Sequence, residues 1–550
     1  MSNAFDKASL VMLPHAYEEG KVYSLKPTDR SGDFTYSRGT DTATRVGEDG
    51  YIKKEYVNKI LGSNDWALSN SSYTITGGEE GYDGSNDAWL VTKNNSAYFS
   101  KSGLVYDGVL TASFYAKAGT LDRIFVFTAG DSARFDLTNG TSSKTGGALI
   151  AHSIEPVGND WYRCSMTFNK NETNNLLFKP LDSSNQDVNG TMYIQDGMLN
   201  YGLVAYPYLE TTTAPVYGGL TDDMPRLDYS GGATCPSLLL EPSRTNLIGH
   251  SEYFNTSATD WRSEGNNGVT ITTNETTSPE GLVNASKLQG GGASNDRLQW
   301  NFNTSNTKAM YSVFVKGTGD VVRFSIFNSR SGDRLNYDVD TNGNFTLNAA
   351  TGITNHDIEN YGNGWYRIWG EFTTDAALSN YFQIYSDITG SGAIYLYGAQ
   401  IEEGSYPTSY IPTYGSSQTR AEELATASAD STGDWTLYFE YDTTLLANSD
   451  TYITGGFIEN IRIFIEDIWW RFGGVNRYFQ NSGVNTIKIL FRRTSGNIDA
   501  FYNGVEEYSG IASTTTGAQN IVLEGGKQRQ ALLFPTALSD DECIALTTIV

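Results

Sequence analysis

Along most of this chain hydrophobic and polar positions alternate with a period of two, the pattern of strands with one face turned to a core. The clearest runs are 111–116 (TASFYA), 124–127 (IFVF), 311–316 (YSVFVK), 323–327 (RFSIF) and 435–441 (WTLYFEY). Alternation puts Tyr162, Cys164, Met166 and Phe168 on one face of a strand, and Tyr366, Ile368, Gly370 and Phe372 on one face of another. Near the C-terminus Ile461, Ile463 and Ile465 share a face. Ile468, Trp470 and Phe472 then point inward together, leaving Trp469 and Arg471 on the opposite side. Asp49-Gly50 and Asn503-Gly504 sit between such runs and predict tight hairpins, since both residue types tolerate positive φ. One short helix is expected at 538–546, with Ser539 as N-cap, acids in the first turn and Cys543 on the apolar side.

One stretch occurs twice. Residues 152–163 read HSIEPVGNDWYR and residues 356–367 read HDIENYGNGWYR, a shared His-x-Ile-Glu-x-x-Gly-Asn-x-Trp-Tyr-Arg without insertion. A pattern recurring once at such a distance reports a duplicated domain. The neighbouring strands match in the same order, and Trp261 answers Trp66. The boundaries that follow are 1–65, an N-terminal attachment segment with a hairpin; 66–212, β-sandwich domain 1; 213–246, a connecting hairpin; 247–420, domain 2; and 421–550, a third, unrelated sandwich. The string 241–248 (EPSRTNLI) before domain 2 has a weaker relative in 54–60 (KEYVNKI) before domain 1. Each domain ends in an extended strap containing Pro-x-Tyr-Gly, at 215–218 and 412–415, although copy one lacks the full string 399–413 (AQIEEGSYPTSYIPT).

Composition agrees with an all-β chain of 550 residues: 57 Gly, 35 Tyr and 25 Phe against 13 Pro. Thirty-eight basic and 63 acidic side chains leave a net charge of −25, which disfavours nucleic acid and anionic membranes as partners. The three cysteines, Cys164, Cys235 and Cys543, have neither disulfide-framework nor zinc spacing, and the duplicate places Cys164 where Ile368 stands, in the core. The N-terminus does not read as a signal peptide, and no run of eighteen apolar residues predicts a membrane span.

Candidate chemistry is sparse. The histidines are His15, His152, His250 and His356; the second and fourth are twins in the duplicate, which favours a turn role over catalysis. G-x-S-x-G, H-E-x-x-H and P-loop spacings are missing from the sequence, so no catalytic residue is expected. Trp161 and Trp365 are expected to close one end of each sandwich. Asp83-Gly-Ser-Asn-Asp87 offers oxygen ligands of the kind calcium takes without the EF-hand positions, and is the one place where an ion is considered. For recognition, flat aromatic faces ringed by polar groups suit sugars. Trp469 with Arg471 beside it is the candidate ligand-binding pair; the competing reading is that Trp469 packs on a neighbouring domain or subunit.

The strings RTNLI…SEYF…W, the GNGWYR turn, AQIEEGSYPTSYIPTYGSSQTR and the segment 21–52 resemble a module recurrent in fibre proteins of tailed bacteriophages. The resemblance covers most of residues 20–420. It implies tandem jelly rolls similar to carbohydrate-binding modules, with a C-terminal laminin-G or concanavalin A-like sandwich. It further implies a homotrimeric tail or head fibre without catalysis, contacting other virion proteins through its N-terminal segment and recognising host-surface glycans, assembled in the host cytoplasm. A capsid decoration or adaptor protein and a tailspike-type polysaccharide depolymerase are the alternatives.

Overall fold

The computed structural model describes residues 2–549 apart from 258, 320–322, 388–391, 431, 443–449, 455–459, 464–466, 473, 481–485 and 514–516. The expected face of Ile461, Ile463 and Ile465 lies outside the described side chains. The chain is all-β, arranged as sandwiches of antiparallel sheets, with a short helix near each end.

Domain 2 stacks two six-stranded sheets. One runs Arg262–Glu264, Arg297–Phe302, Asn380–Tyr385, Arg323–Asn328, Asp333–Val339, Phe345–Thr351; the other runs Val269–Thr276, Ala285–Gly290, Ala393–Glu402, Lys308–Gly317, Trp365–Thr373, His356–Gly362. Domain 1 repeats this order with one change. Its central strands, Phe99–Ala118 and Trp161–Leu181, each pass through both layers, joining the two sheets into one of ten strands. The repeat stretch has the same register in each copy: Trp161 pairs with Lys117 and Trp365 with Lys316, Cys164 with Ile154 and Ile368 with Ile358. Cys164 is fully buried beside Met166 and Phe168 in the domain 1 core, as alternation requires. Trp161 and Trp365, one residue before Tyr162 and Tyr366, are carried by the same pleat to the other side of the sheet. They do not cap the main cores. Each anchors a small separate cluster on the outer face, Trp161 with Ala88 and Tyr115, Trp365 with Phe314, Tyr397 and Tyr410.

The third sandwich is built from both ends of the chain. Leu10–Met12 pairs with Gly526–Phe534, and Phe34–Ser37 pairs with Leu424–Asp430. Arg226–Asp228 and Ser237–Leu240, from the segment expected as a connecting hairpin, extend the same sheet through Gly526–Phe534. Leu10, Met12, Val22, Phe34, Leu238 and Leu240 are buried in one core with Trp435, Trp470 and Phe491. Residues 1–65 are therefore divided rather than forming a separate attachment arm. Their first part completes the C-terminal sandwich. The hairpin Thr44–Val46 and Ile52–Asn58, joined by Val216–Gly219, forms a three-stranded sheet of its own. The strands concerned are only two to four residues long in several cases, too short for alternation to announce which distant sheet they join.

The turn and helix expectations hold. Gly50 and the Asn503-Gly504 pair have positive φ between paired strands. The helix Asp540–Thr547 starts with a capping box, the Ser539 amide donating to Glu542 Oε2 at 2.9 Å and the Ser539 hydroxyl accepting from the Glu542 amide.

Candidate functional sites

Trp469 and Arg471 occupy the strand Asp467–Phe472, where Ile468, Trp470 and Phe472 are buried and the alternate residues face outward. Trp469 is 39% exposed and pairs across the ladder with Tyr478, 56% exposed, their ring centroids 6.4 Å apart and inclined by 35°. Exposed Val475 lies opposite Phe472 on the same adjoining strand. Tyr508 steadies this edge by donating its hydroxyl to the Tyr478 carbonyl at 2.7 Å. The result is two adjacent aromatic rings presented on a sheet, with Arg471 two residues along. Tyr478 was not singled out in the sequence, although it stands in an alternating run, because its register against Trp469 is a property of the ladder.

A second constellation lies at the junction of domains 1 and 2. Lys54, from the lead-in hairpin, is buried with its Nζ 2.7 Å from Glu252 Oε1 and 3.1 Å from Glu280 Oε2. The Tyr397 hydroxyl donates to both carboxylates at 3.1 and 3.0 Å, Tyr410 donates to Glu252 at 3.2 Å, and Tyr206 of domain 1 bonds Glu280. Lys54 also sits 5.3–6.0 Å from the ring centres of Tyr206, Tyr397 and Tyr414. Burial alone would lower the Lys54 pKa, but the two carboxylates hold it well above its ordinary value; burial raises Glu252 despite the lysine. This is a clasp of buried side chains.

The same place in domain 1 is open. Shared hydrogen bonds establish the correspondence: Ser63 bonds Tyr208 and Thr211 as Ser251 bonds Tyr410 and Thr413. Gly62 meets Thr212 as His250 meets Tyr414. Asn64 thus stands for Glu252, Thr212 for Tyr414 and Gln195 for Tyr397. The strap of copy one lies at 206–212, which follow the path of 408–414 with different side chains, so Pro215-Val-Tyr-Gly218 is not the counterpart of Pro412-Thr-Tyr-Gly415. Instead of a clasp there is a cleft of about 400 Å³, lined by Gly62, Asn64, Asp65, Asp87, Trp89 and Glu210 together with Gly77, Gly78 and Thr211 to Thr213. Trp89 is half-buried, its indole nitrogen donating to the Asn64 carbonyl at 2.8 Å. Its counterpart by strand register is Ser286, so the one sequence signal for this site was an aromatic present in one copy only.

The loop considered for calcium borders this region. Asp83 Oδ1 accepts from the Ser85 hydroxyl at 2.6 Å, while Gln195 Nε2 donates to Asp87 Oδ1 at 2.7 Å and Asp83 Oδ1 at 3.4 Å. The amide is oriented by the Tyr82 amide, which donates to Gln195 Oε1 at 3.1 Å. The oxygens that a cation would need face a fixed NH2 group. Among the described residues no group of three or more His, Cys, Asp or Glu is placed to hold a metal. Behind the loop, burial and the neighbouring Asp87 and Asp83 push the Asp196 carboxyl up to about 7 against hydrogen bonds from Tyr82 and Tyr208.

The repeat histidines and glutamates do not assemble a catalytic group. His152 bonds the Ser142 hydroxyl at 2.8 Å, and His356 lies across the ladder from Gly370. Glu359 accepts from Trp369 Nε1 at 2.7 Å, whereas Glu155 in copy one is exposed. A further, half-open space of about 30 Å³ near Asp228, Tyr361, Arg367 and Lys527, between domain 2 and the third sandwich, is on the scale of a few water molecules.

No protein-family model matches this chain, and no curated protein does. Among solved structures, the LG1-3 region of the laminin alpha2 chain aligns over 80% of this chain and 96% of its own, at 9% identity and a TM-score of 0.16. Overlap that slight supports no argument, and the fold stands on the strands and pairings described above.

Proposed function

We propose that the chain is a structural fibre protein of a tailed-bacteriophage virion that recognises host-surface glycans without catalysis. The observation carrying the recognition part is the adjacent exposed pair Trp469 and Tyr478, with Arg471 beside it, on a sandwich whose other described aromatic rings are largely buried. Two rings side by side on a rigid sheet match the apolar faces of successive sugar units, and a guanidinium supplies hydrogen bonds to hydroxyl or carboxylate groups. The fibre part rests on the sequence resemblance, and is supported by tandem sandwiches braced by buried polar junctions. Trimerisation would make weak single-site binding effective. No metal or cofactor is required in this reading.

The test is a glycan array probed with the intact protein and with Trp469→Ala and Tyr478→Ala. Binding lost in both variants at unchanged melting temperature supports the reading, and an array silent for all three proteins refutes the recognition part. Release of new reducing ends from host capsule or lipopolysaccharide would establish the depolymerase instead. Immunogold labelling of the capsid together with a silent array would establish a decoration or adaptor protein.

A further inference from the structure

The duplicate contains one position in two states. In domain 2 it is filled by Lys54 from a preceding segment, the ammonium lying between Glu252 and Glu280 under tyrosine rings. In domain 1 the counterparts of Glu252 and Tyr414, Asn64 and Thr212, line a cleft of about 400 Å³, in the size range of ligand sites. Gln195, the counterpart of Tyr397, turns its amide to Asp83 and Asp87 outside the lining. We propose that the domain 1 cleft is a receptor for a lysine side chain carried on an extended segment of another protein, which docks there as Lys54 docks in domain 2.

Four features argue for this occupant. The lining includes three acids, Asp65, Asp87 and Glu210, and no base. Lys101, beside the wall, is buried with its ammonium donating to the Gly62 and Asp65 carbonyls at 2.6 Å each. Trp89 is fixed by its bond to Asn64 and lies against Gly77, where a Cβ would stand 3.4 Å from the ring. It offers the aromatic surface that Tyr414 offers in the filled copy. Finally, Asn64 in place of Glu252 leaves a neutral hydrogen-bonding group at the base, so the vacant site avoids an unpaired buried carboxylate. A second folded copy of this chain cannot donate the same residue, because its own Lys54 is already enclosed. The partner strand is expected to resemble the internal one, in which Lys54 is followed two residues on by Tyr56, stacked on Tyr206 at 5.1 Å.

The experiment is isothermal titration of the full chain with a synthetic peptide of residues 50–58 (GYIKKEYVN), and with the same peptide carrying K54M. The expected result is saturable binding of the first peptide, weakened at least tenfold by K54M. D65N/E210Q, at two exposed positions, should weaken it equally without moving the melting temperature, and D87N gives an independent second variant. High salt should also weaken it. The proposal is overturned if neither peptide saturates at millimolar concentration, if both bind equally, or if D65N/E210Q and D87N bind as the parent does. Self-association of the parent chain that D65N/E210Q abolishes would overturn it in favour of a second copy. Competition by neutral oligosaccharides for a site that ignores the peptide would assign the cleft to sugars.

Discussion

Asn58 and Asn246 perform the same four-bond task in two domains. Asn58 Nδ2 donates to the carbonyls of Gly197 and Leu209 at 3.0 and 2.7 Å, and its Oδ1 accepts from the amides of Ile60 and Leu199 at 3.1 Å each. Asn246 Nδ2 donates to Ala399 and Ile411 at 3.1 and 2.9 Å, and its Oδ1 accepts from Ile248 and Ile401 at 3.1 and 3.2 Å. Both side chains are fully buried. Each links the incoming segment, the last long strand and the strap of its domain, and so holds every boundary of the fold unit at one point. Only an amide can do this, with two donors and an acceptor of two bonds in a plane.

Replacing either asparagine by alanine would strand two amides and two carbonyls without water. At about 1–3 kcal/mol for an unsatisfied buried group, partly relieved by relaxation, Asn246→Ala should cost on the order of 3–5 kcal/mol. Asn246→Asp should be nearly as damaging, since a carboxylate accepts but cannot donate to Ala399 and Ile411. Chemical denaturation of both variants, and of the Asn58 pair, checks this. A loss below about 1 kcal/mol would mean the strap is held by other contacts.

Asp196 gives a pH prediction. Its backbone is left-handed, φ 49°, where the twin strand of domain 2 has Gly398 at φ 56°. Burial, with Asp87 and Asp83 nearby, pushes its carboxyl up to about 7. The folded state then binds the proton more tightly than the unfolded chain, so this group makes stability fall as pH rises from about 4 towards 7. Asp196→Asn tolerates the same backbone and removes the titration. The variant should gain stability relative to the parent as pH rises through that window, by up to about 4 kcal/mol at pH 8. Melting temperatures across pH 4–8 measure it; parallel curves for the two proteins would show that Asp196 is ionised at little cost.

Glu423 is the centre of the junction between domain 2 and the third sandwich. It takes a bidentate ion pair from Arg226 and a hydrogen bond at 2.6 Å from Tyr36, with Arg38 at 3.3 Å; Arg226 and Arg420 also meet Glu241 at 2.8 and 2.9 Å. Removing one partner of a buried network leaves the other charges uncompensated, so Glu423→Gln should cost about 3–5 kcal/mol. The neighbouring arginines, with bonds from Ser409, hold the Glu241 carboxyl well below its ordinary value against the cost of burial. Its contribution is therefore present above the unfolded carboxylate range and lost as pH falls through it into strong acid. Acid titration monitored by near-UV circular dichroism should show the parent losing this junction at low pH, and Glu241→Gln should flatten that limb.

Much of the fold was legible because its signals are local. Alternation placed Cys164 in a core and Trp469 outside one, and the doubled HxIExxGNxWYR fixed the register of two domains. The Asn-Gly turn and the Ser539 cap needed only neighbours in sequence. What was not legible depends on distant pairing. Nothing near Leu10 announces that it will lie opposite Leu533, and nothing around Lys54 announces that it will be buried between Glu252 and Glu280. The strap of domain 1 lies a few residues before the Pro215-Val-Tyr-Gly218 string that marks it in sequence, because its backbone path is preserved while its side chains are not. The cleft escaped because Trp89 is informative only after strand register sets it against Ser286.

The placement of Leu10–Met12 makes the last prediction. These residues cover part of the strand Gly526–Phe534 and bury Leu10 and Met12 beside Trp435 and Leu437. An N-terminal arm that served only for attachment could be removed without effect on the rest. Here, deleting residues 2–12 would uncover the 531–533 ladder and withdraw four buried apolar side chains from two cores, Leu10 and Met12 from one and Ala8 and Val11 from the other. At about 1.5–3 kcal/mol for each fully buried side chain, the loss should be several kcal/mol, confined to the third sandwich. Hydrogen exchange should then show faster amide exchange in Trp435–Asp442 and Gly526–Phe534, with domains 1 and 2 protected as before. Equal exchange in the truncated and full chains would mean that the terminal strand docks without supporting the sheet.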